Sequence, residues 1–139
     1  MTWLTWSLLS AVFAALTAIL AKLGVTGIDA NLATAVRPSV IVLFAWLAAW
    51  FTWQPNGLQN LSNKTWIFLV ASGLATGLSW LCYFRALQVG QASRVAPVDK
   101  LSVALVIVLS ILILGERLTW AKGLGGLLIV AGAITIALE

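Results

Sequence analysis

Five apolar stretches separated by short polar connections constrain this chain more than any other feature of its sequence. They cover residues 3–21, 32–52, 66–84, 95–114 and 120–138, and a helix needs about 20 apolar residues to cross the hydrocarbon core of a bilayer. Because lipid offers no partner to an unpaired backbone group, each stretch is expected to be an α-helix. The sequence therefore predicts an all-α integral membrane protein, a bundle of five transmembrane helices that forms a single unit over residues 1–139.

The composition excludes most classes of soluble protein. Hydrophobic residues make up 62% of the chain and charged residues only 9%, whereas soluble domains contain about 25% charged residues. Too few polar side chains remain to cover the outside of a water-soluble fold. The net charge of +4 is not gathered into a basic patch, so no nucleic-acid partner is predicted, and the lipid bilayer is the expected surrounding.

Catalytic and metal-binding patterns are missing from the sequence. The chain has no His and a single Cys, Cys82, and it contains no nucleophile–base pair or metal-ligand cluster. We therefore expect no enzymatic activity, no metal and no cofactor. The start, Met1 to Leu4, lacks a basic segment of the kind that precedes a cleaved signal, so the first apolar stretch is expected to remain as a helix.

The connections contain residues that end and begin helices. Gly115 follows the fourth stretch and is expected to end that helix in a left-handed conformation, and Thr119 is expected to cap the start of the last one. Tryptophans lie where an aromatic belt at the membrane surface would place them, at the ends of apolar stretches: Trp3, Trp6, Trp53, Trp66 and Trp120.

Four charged residues fall inside the predicted spans; Lys122 lies in the first turn of the fifth, and the other three lie deeper. Arg37 lies in the second stretch, and Asp99 and Lys100 lie at a similar depth in the fourth. Such residues are costly in lipid and usually functional, so we predict that they line a solute cavity. The alternative for the two cations is that their long side chains reach back to the headgroups over roughly 8–10 Å.

The third stretch carries a polar face. Ser72, Thr76, Ser79 and Tyr83 recur at helical spacing and Trp80 borders them. Hydroxyl groups are unfavourable in lipid, so this face is predicted to form a cavity wall with an aromatic surface for the solute. The alternative is hydrogen bonding between helices, worth about 0.6 kcal/mol on average.

Small residues in the fifth stretch predict a packing surface. Gly73 and Gly77 form a weaker signal of the same kind, because small side chains allow helix backbones to approach closely. The face expected to contact a second copy of the chain contains Gly125, Gly126, Gly132 and Ala133.

The second half of the chain resembles a known transporter domain. The similarity is carried by Arg85-Ala86-Leu87, by residues 92–97, by Leu101-Ser102, by Leu114-Gly115-Glu116-Arg117-Leu118-Thr119 and by Gly132-Ala133. These segments resemble the EamA-type domain of the drug/metabolite transporter superfamily, and the five spans match one such domain, a half-size member. The resemblance implies a membrane transporter of small metabolites or drug-like solutes.

A fainter similarity is to the small multidrug resistance transporters. It rests on residues 125–132, which look like the last helix of those proteins. That family places a Glu in its first helix to bind protons or cations, and residues 3–21 contain no acidic residue. The coupling mechanism of that family is therefore not expected in this chain.

We thus predict a transporter that moves small solutes by alternating access, as a homodimer in a bacterial inner (plasma) membrane. The alternative is a small membrane subunit that scaffolds or regulates a partner without transport, and no channel filter is visible. Cations outnumber acids within the spans, which favours an anionic or zwitterionic solute. A single five-span unit regains an inverted repeat only by pairing with an oppositely inserted copy, so an antiparallel homodimer with dual topology is expected.

Overall fold

A computed structural model describes residues 2–52 and 61–139, and within them it contains helices and no strand. The helices are α1 (Trp3–Val25), α2 (Ala30–Phe51), α3 (Asn63–Val89), α4 (Ala92–Asp99), α5 (Leu101–Leu114) and α6 (Trp120–Ala137). With α4 and α5 taken together as Ala92–Leu114, five helices in the described part are long and apolar enough to cross a membrane. The prediction of an all-α membrane protein is confirmed. Trp53, which was predicted to lie in the aromatic belt, is outside the described residues.

Single polar residues and glycines set the helix ends. The Asp29 carboxylate accepts hydrogen bonds from the amides of Asn31 (2.9 Å) and Leu32 (3.2 Å), so α2 starts at Ala30, two residues before the predicted boundary. Gly115 has a φ of 67° and ends α5, as predicted. Thr119 caps α6, also as predicted, because its hydroxyl accepts a hydrogen bond from the Lys122 amide.

The fourth span is interrupted, although a continuous helix over residues 95–114 was expected. Lys100 separates α4 from α5, and two i→i−3 bonds bridge the break, from the Lys100 amide to the Pro97 carbonyl (3.0 Å) and from the Val103 amide to the Lys100 carbonyl (2.9 Å). Bonds of this type belong to the tighter 3₁₀ helix. Pro97, three residues earlier, lacks an amide hydrogen and so weakens the turn that precedes the break.

The chain forms two compact units, Met1–Lys22 with Val89–Glu139, and Leu23–Gln88. In the first unit α6 packs against α4 and α5. Gly126 is buried there, and a Cβ added to it would lie 3.2 Å from Ile107 Cδ1. Lys22 donates a hydrogen bond from Nζ to the Gly90 carbonyl (2.8 Å) in the same unit.

In the second unit, α2 and α3 are held together at one end. Gln88 Nε2 donates to the Ile28 carbonyl at 2.7 Å, and the buried residues of the unit all belong to this end: Val25, Ala30, Ala33, Phe84 and Leu87. From Thr34 to Phe51 in α2, and from Asn63 to Tyr83 in α3, no residue is buried. The two helices are therefore joined by a hydrogen bond at the Ile28–Gln88 end, where the buried residues of the unit lie, and neither helix has a buried residue beyond that end.

Candidate functional site

A groove of about 520 Å³ lies between α2 and α3, within the second unit. On the α2 side it is lined by Thr34 and Pro38, and on the α3 side by residues between Leu69 and Leu81. Three of the residues that the sequence singled out belong to this lining: Ser72, Thr76 and Trp80. The α2–α3 groove therefore combines apolar walls with hydroxyl groups and one indole ring.

Two threonine hydroxyls in the groove bond within their own helices. Thr76 Oγ1 donates to the Ser72 carbonyl at 2.9 Å, and Thr34 Oγ1 donates to the Ala30 carbonyl at 2.7 Å. For Thr76 this bond does not link two helices, which was the alternative derived from the sequence for its face of α3. Because a hydroxyl also has lone pairs, both oxygens keep the capacity to accept a hydrogen bond from a solute.

Two glycines widen the groove. Gly73 and Gly77 belong to its lining, and a Cβ added to either would meet no atom within 4 Å. The spacing of these glycines suggested close packing between helices. In this structure their missing side chains instead leave open space in the groove.

Arg37 lies at the closed end of the groove and contacts two aromatic rings of α3. Its Cζ atom is 4.9 Å from the centroid of Phe84 and 5.7 Å from the centroid of Trp80. Both distances fall within the range of a cation–π interaction. The guanidinium thus lies against α3, between a groove-lining ring and a ring that is only 1% exposed.

The structure assembles part of the predicted site. Arg37, Ser72, Thr76 and Trp80 lie in or beside the α2–α3 groove. Ser79 and Tyr83 do not line it: Ser79 is exposed, and the Tyr83 ring packs at 6.2 Å from the ring of Phe84.

Asp99 and Lys100 belong to the first unit. Lys100 Nζ lies 3.1 Å from Asp99 Oδ2, and the two side chains are 56% and 35% exposed. The pair lies at the break between α4 and α5. That the pair shares one cavity with Arg37 stays a prediction.

Sequence reasoning missed Phe84 and Thr34. Phe84 follows Trp80 by four residues, which puts both rings on one face of α3. Thr34 precedes Arg37 by three residues and Pro38 by four, so these residues share a face of α2. Examining the neighbours of Arg37 and Trp80 at helical spacing would have found both.

The predicted packing surface of α6 divides into two stripes. Gly126 and Ala133 are buried within the chain. Gly125 and Gly132 have no atom within 4 Å of an added Cβ. Among these four residues, the surface open to a second copy is therefore the Gly125–Gly132 stripe.

Comparison with known proteins gives matches that cover nearly the whole chain. The family model described as the EamA-like transporter family matches residues 1–138. A curated relative from a Sinorhizobium species, described as an uncharacterized transporter in the cobO 3′ region, is 50% identical over 138 residues, which cover 98% of this chain and 96% of the relative. No solved structure gives a significant match.

Proposed function

The chain belongs to the EamA-like transporter family, and on that premise we propose that it carries small polar or amphipathic solutes across the membrane by alternating access. The observation that carries this proposal is the α2–α3 groove, in which hydroxyls and an indole line a space of about 520 Å³ between two spanning helices. Polar cavities between transmembrane helices are typical of solute pathways. A subunit with a purely scaffolding role does not need a polar cavity between its spanning helices.

The one-sided opening of the groove supports alternating access. A hydrogen bond joins Gln88 to Ile28 at the end of the pair where the buried residues lie, and neither α2 nor α3 has a buried residue beyond that end. An alternating-access carrier exposes its site to one side of the membrane at a time. The arrangement fits a conformation that is open toward the ends of α2 and α3 near Phe51 and Asn63.

Homodimer formation would cover polar surface that the monomer leaves bare. Ser72, Thr76 and Ser79 are exposed, and contact with lipid is unfavourable for their hydroxyls. The open stripe of Gly125 and Gly132 offers a place where a second α6 could approach closely. We propose an antiparallel homodimer, and the Sinorhizobium relative supports a location in a bacterial inner membrane.

Flux through proteoliposomes tests the proposal. The purified protein is reconstituted, and exchange is followed by mass spectrometry for a panel of small organic anions, zwitterions, cations and neutral solutes. We expect exchange of at least one class above the level of empty liposomes. Gly77→Leu is expected to abolish it, since the side chain enters the groove, where a Cβ at Gly77 meets no other atom within 4 Å.

Gly24→Leu is the matched control. Gly24 is also helical and has no atom within 4 Å of an added Cβ, but it does not line the groove. This variant is expected to keep the wild-type flux. Absence of any flux in the wild type would favour a non-transporting subunit, and flux that survives Gly77→Leu would place the solute pathway elsewhere.

A further inference from the structure

Arg37 connects the part of the unit that holds the groove with the part that closes it. We define the seal as the buried residues Ala30 and Ala33 of α2 with Phe84 and Leu87 of α3. The guanidinium lies over Phe84, which belongs to the seal, and over Trp80, which lines the groove. A movement of the Arg37 side chain therefore affects both the seal and the groove.

The charge of Arg37 has no acidic partner in the described part of the chain. The ion pairs found there join Asp99 to Lys100 and Glu116 to Lys122, and Asp29 caps α2. A guanidinium stays protonated in proteins, and in a span a permanent cation is stabilised poorly by water. Aromatic rings provide partial compensation.

A carboxylate is a stronger partner for a guanidinium than an aromatic ring. It accepts two parallel charge-assisted hydrogen bonds from the planar donors of an arginine, whereas a ring face offers only its quadrupole. A carboxylate that enters the α2–α3 groove beside Trp80 would therefore compete with the rings for Arg37. The hydroxyl oxygens of Thr34 and Thr76 line the same space.

We propose that Arg37 is a mobile anion-binding group that couples occupancy of the groove by a small organic carboxylate to opening of the seal. In the empty groove the guanidinium rests on Phe84 and Trp80 and stabilises the closed end. A bound carboxylate draws it away from Phe84, and the seal is then held by the Gln88–Ile28 bond and its remaining apolar contacts. Because the ligand interacts better with the open arrangement, it shifts the equilibrium toward opening. The inference rests on the proposed function and names its solute class.

Thiol accessibility in the seal tests this coupling. Ala33→Cys is introduced into a Cys82→Ala background, because Cys82 is exposed and would react, whereas Ala33 is 9% exposed. The rate of modification by N-ethylmaleimide is measured in detergent with butyrate, butyramide or butylamine at constant ionic strength. We expect butyrate to raise the rate at least about threefold, as a modest population shift requires, and the neutral and cationic analogues to leave it unchanged.

Variants of Arg37 separate anion binding from a structural role. Arg37→Gln is expected to abolish the response to butyrate, and Arg37→Lys, which keeps the charge, is expected to retain a preference for butyrate over butyramide. Lys64→Gln removes an exposed cation that does not line the groove and is expected to respond like the wild type. A purely structural arginine would give a raised basal rate in both Arg37 variants and no butyrate effect in the wild type, which would overturn the inference.

The two proposals fail in different ways. Proteoliposome flux without any effect of butyrate on thiol modification would contradict the role of Arg37 and leave transport standing. A butyrate response that depends on Arg37 in a protein without flux for any solute would leave the anion site standing and contradict transport.

Discussion

At the residue scale, the two glycines Gly115 and Gly24 are expected to respond oppositely to the same substitution. Gly115 has a φ of 67°, a conformation that costs a residue with a Cβ about 1 kcal/mol or more. Gly24 is helical and has open space around it, and alanine stabilises a helix over glycine by roughly 0.5–1 kcal/mol. Gly115→Ala should therefore lower, and Gly24→Ala raise, the free energy of unfolding.

Unfolding of both variants in mixed micelles, followed by circular dichroism, measures the difference. Gly24→Ala serves as the control for the added methyl group. A stabilised Gly115→Ala would show that the left-handed end of α5 is not required.

The features that the sequence predicted at this scale depend on near neighbours alone. Gly115 and Thr119 act within one turn of their own helices, so spacing and residue type were sufficient. The contact of Arg37 with Phe84 depends on how α2 and α3 are rotated about their axes. Two helices that are apolar on most sides leave that rotation undetermined, so the ring contacts of Arg37 had to be seen in the structure.

At the scale of the elements, the spans were predictable and the interruption of the fourth one was not. Length and apolar composition determine that Ala92–Leu114 can cross a membrane. At Lys100 the backbone changes from the i→i−4 bonds of an α-helix to the i→i−3 bonds of a 3₁₀ helix. Hydropathy does not distinguish these two types of bond. The contact between Lys100 and Asp99 lies at this break.

Lys100→Ala is expected to abolish transport while leaving expression and folding intact. The substitution leaves Asp99 without its partner at the break, and the sequence predicts that both residues line a solute cavity. Lys122→Ala is the matched control, because Lys122 pairs with Glu116 at 2.9 Å in the connection before α6, and it should keep the wild-type flux. Unchanged flux in Lys100→Ala would indicate that this lysine only reaches the headgroups.

At the scale of the whole molecule, assembly is expected to depend on the Gly125–Gly132 stripe. Gly132→Leu adds a large side chain to a position where an added Cβ meets no atom of its own chain within 4 Å. It should shift the detergent-solubilised protein toward monomer, because small residues are what allow close approach of helices in lipid. Ala131→Leu, an exposed neighbour on another face of α6, should leave the dimer intact.

Light scattering coupled to gel filtration distinguishes these outcomes. A dimer that persists in Gly132→Leu would place the interface on another surface.

The orientation that the sequence predicts depends on which cations are included in the count on each side of the membrane. Lysine and arginine residues near span ends set the orientation, and embedded ones do not. With Arg37 and Lys100 treated as embedded, three cations lie on each side of the bilayer: Lys64, Arg117 and Lys122 on the side of the N-terminus, and Lys22, Arg85 and Arg94 on the other. The contact of Arg37 with two rings of α3 is consistent with its exclusion from the count.

Such a balance predicts that the chain inserts in both orientations, and that an antiparallel homodimer can form from the two populations. Ile28 precedes α2 and Asn63 is the first residue of α3, and both are exposed. Because α2 lies between them in the chain, cysteines at these two positions report opposite faces of the membrane. In a Cys82→Ala background, Ile28→Cys and Asn63→Cys should each be labelled in part by an impermeant maleimide added to intact cells, and fully after the cells are opened.

Adding a lysine beside Asn63, by Ser62→Lys, should bias the balance and deplete labelling at Asn63→Cys, since positive residues favour the cytoplasmic side. In the chain without Ser62→Lys, complete labelling at one position and none at the other would mean a fixed orientation. The antiparallel dimer would then be contradicted, and a parallel dimer would take its place.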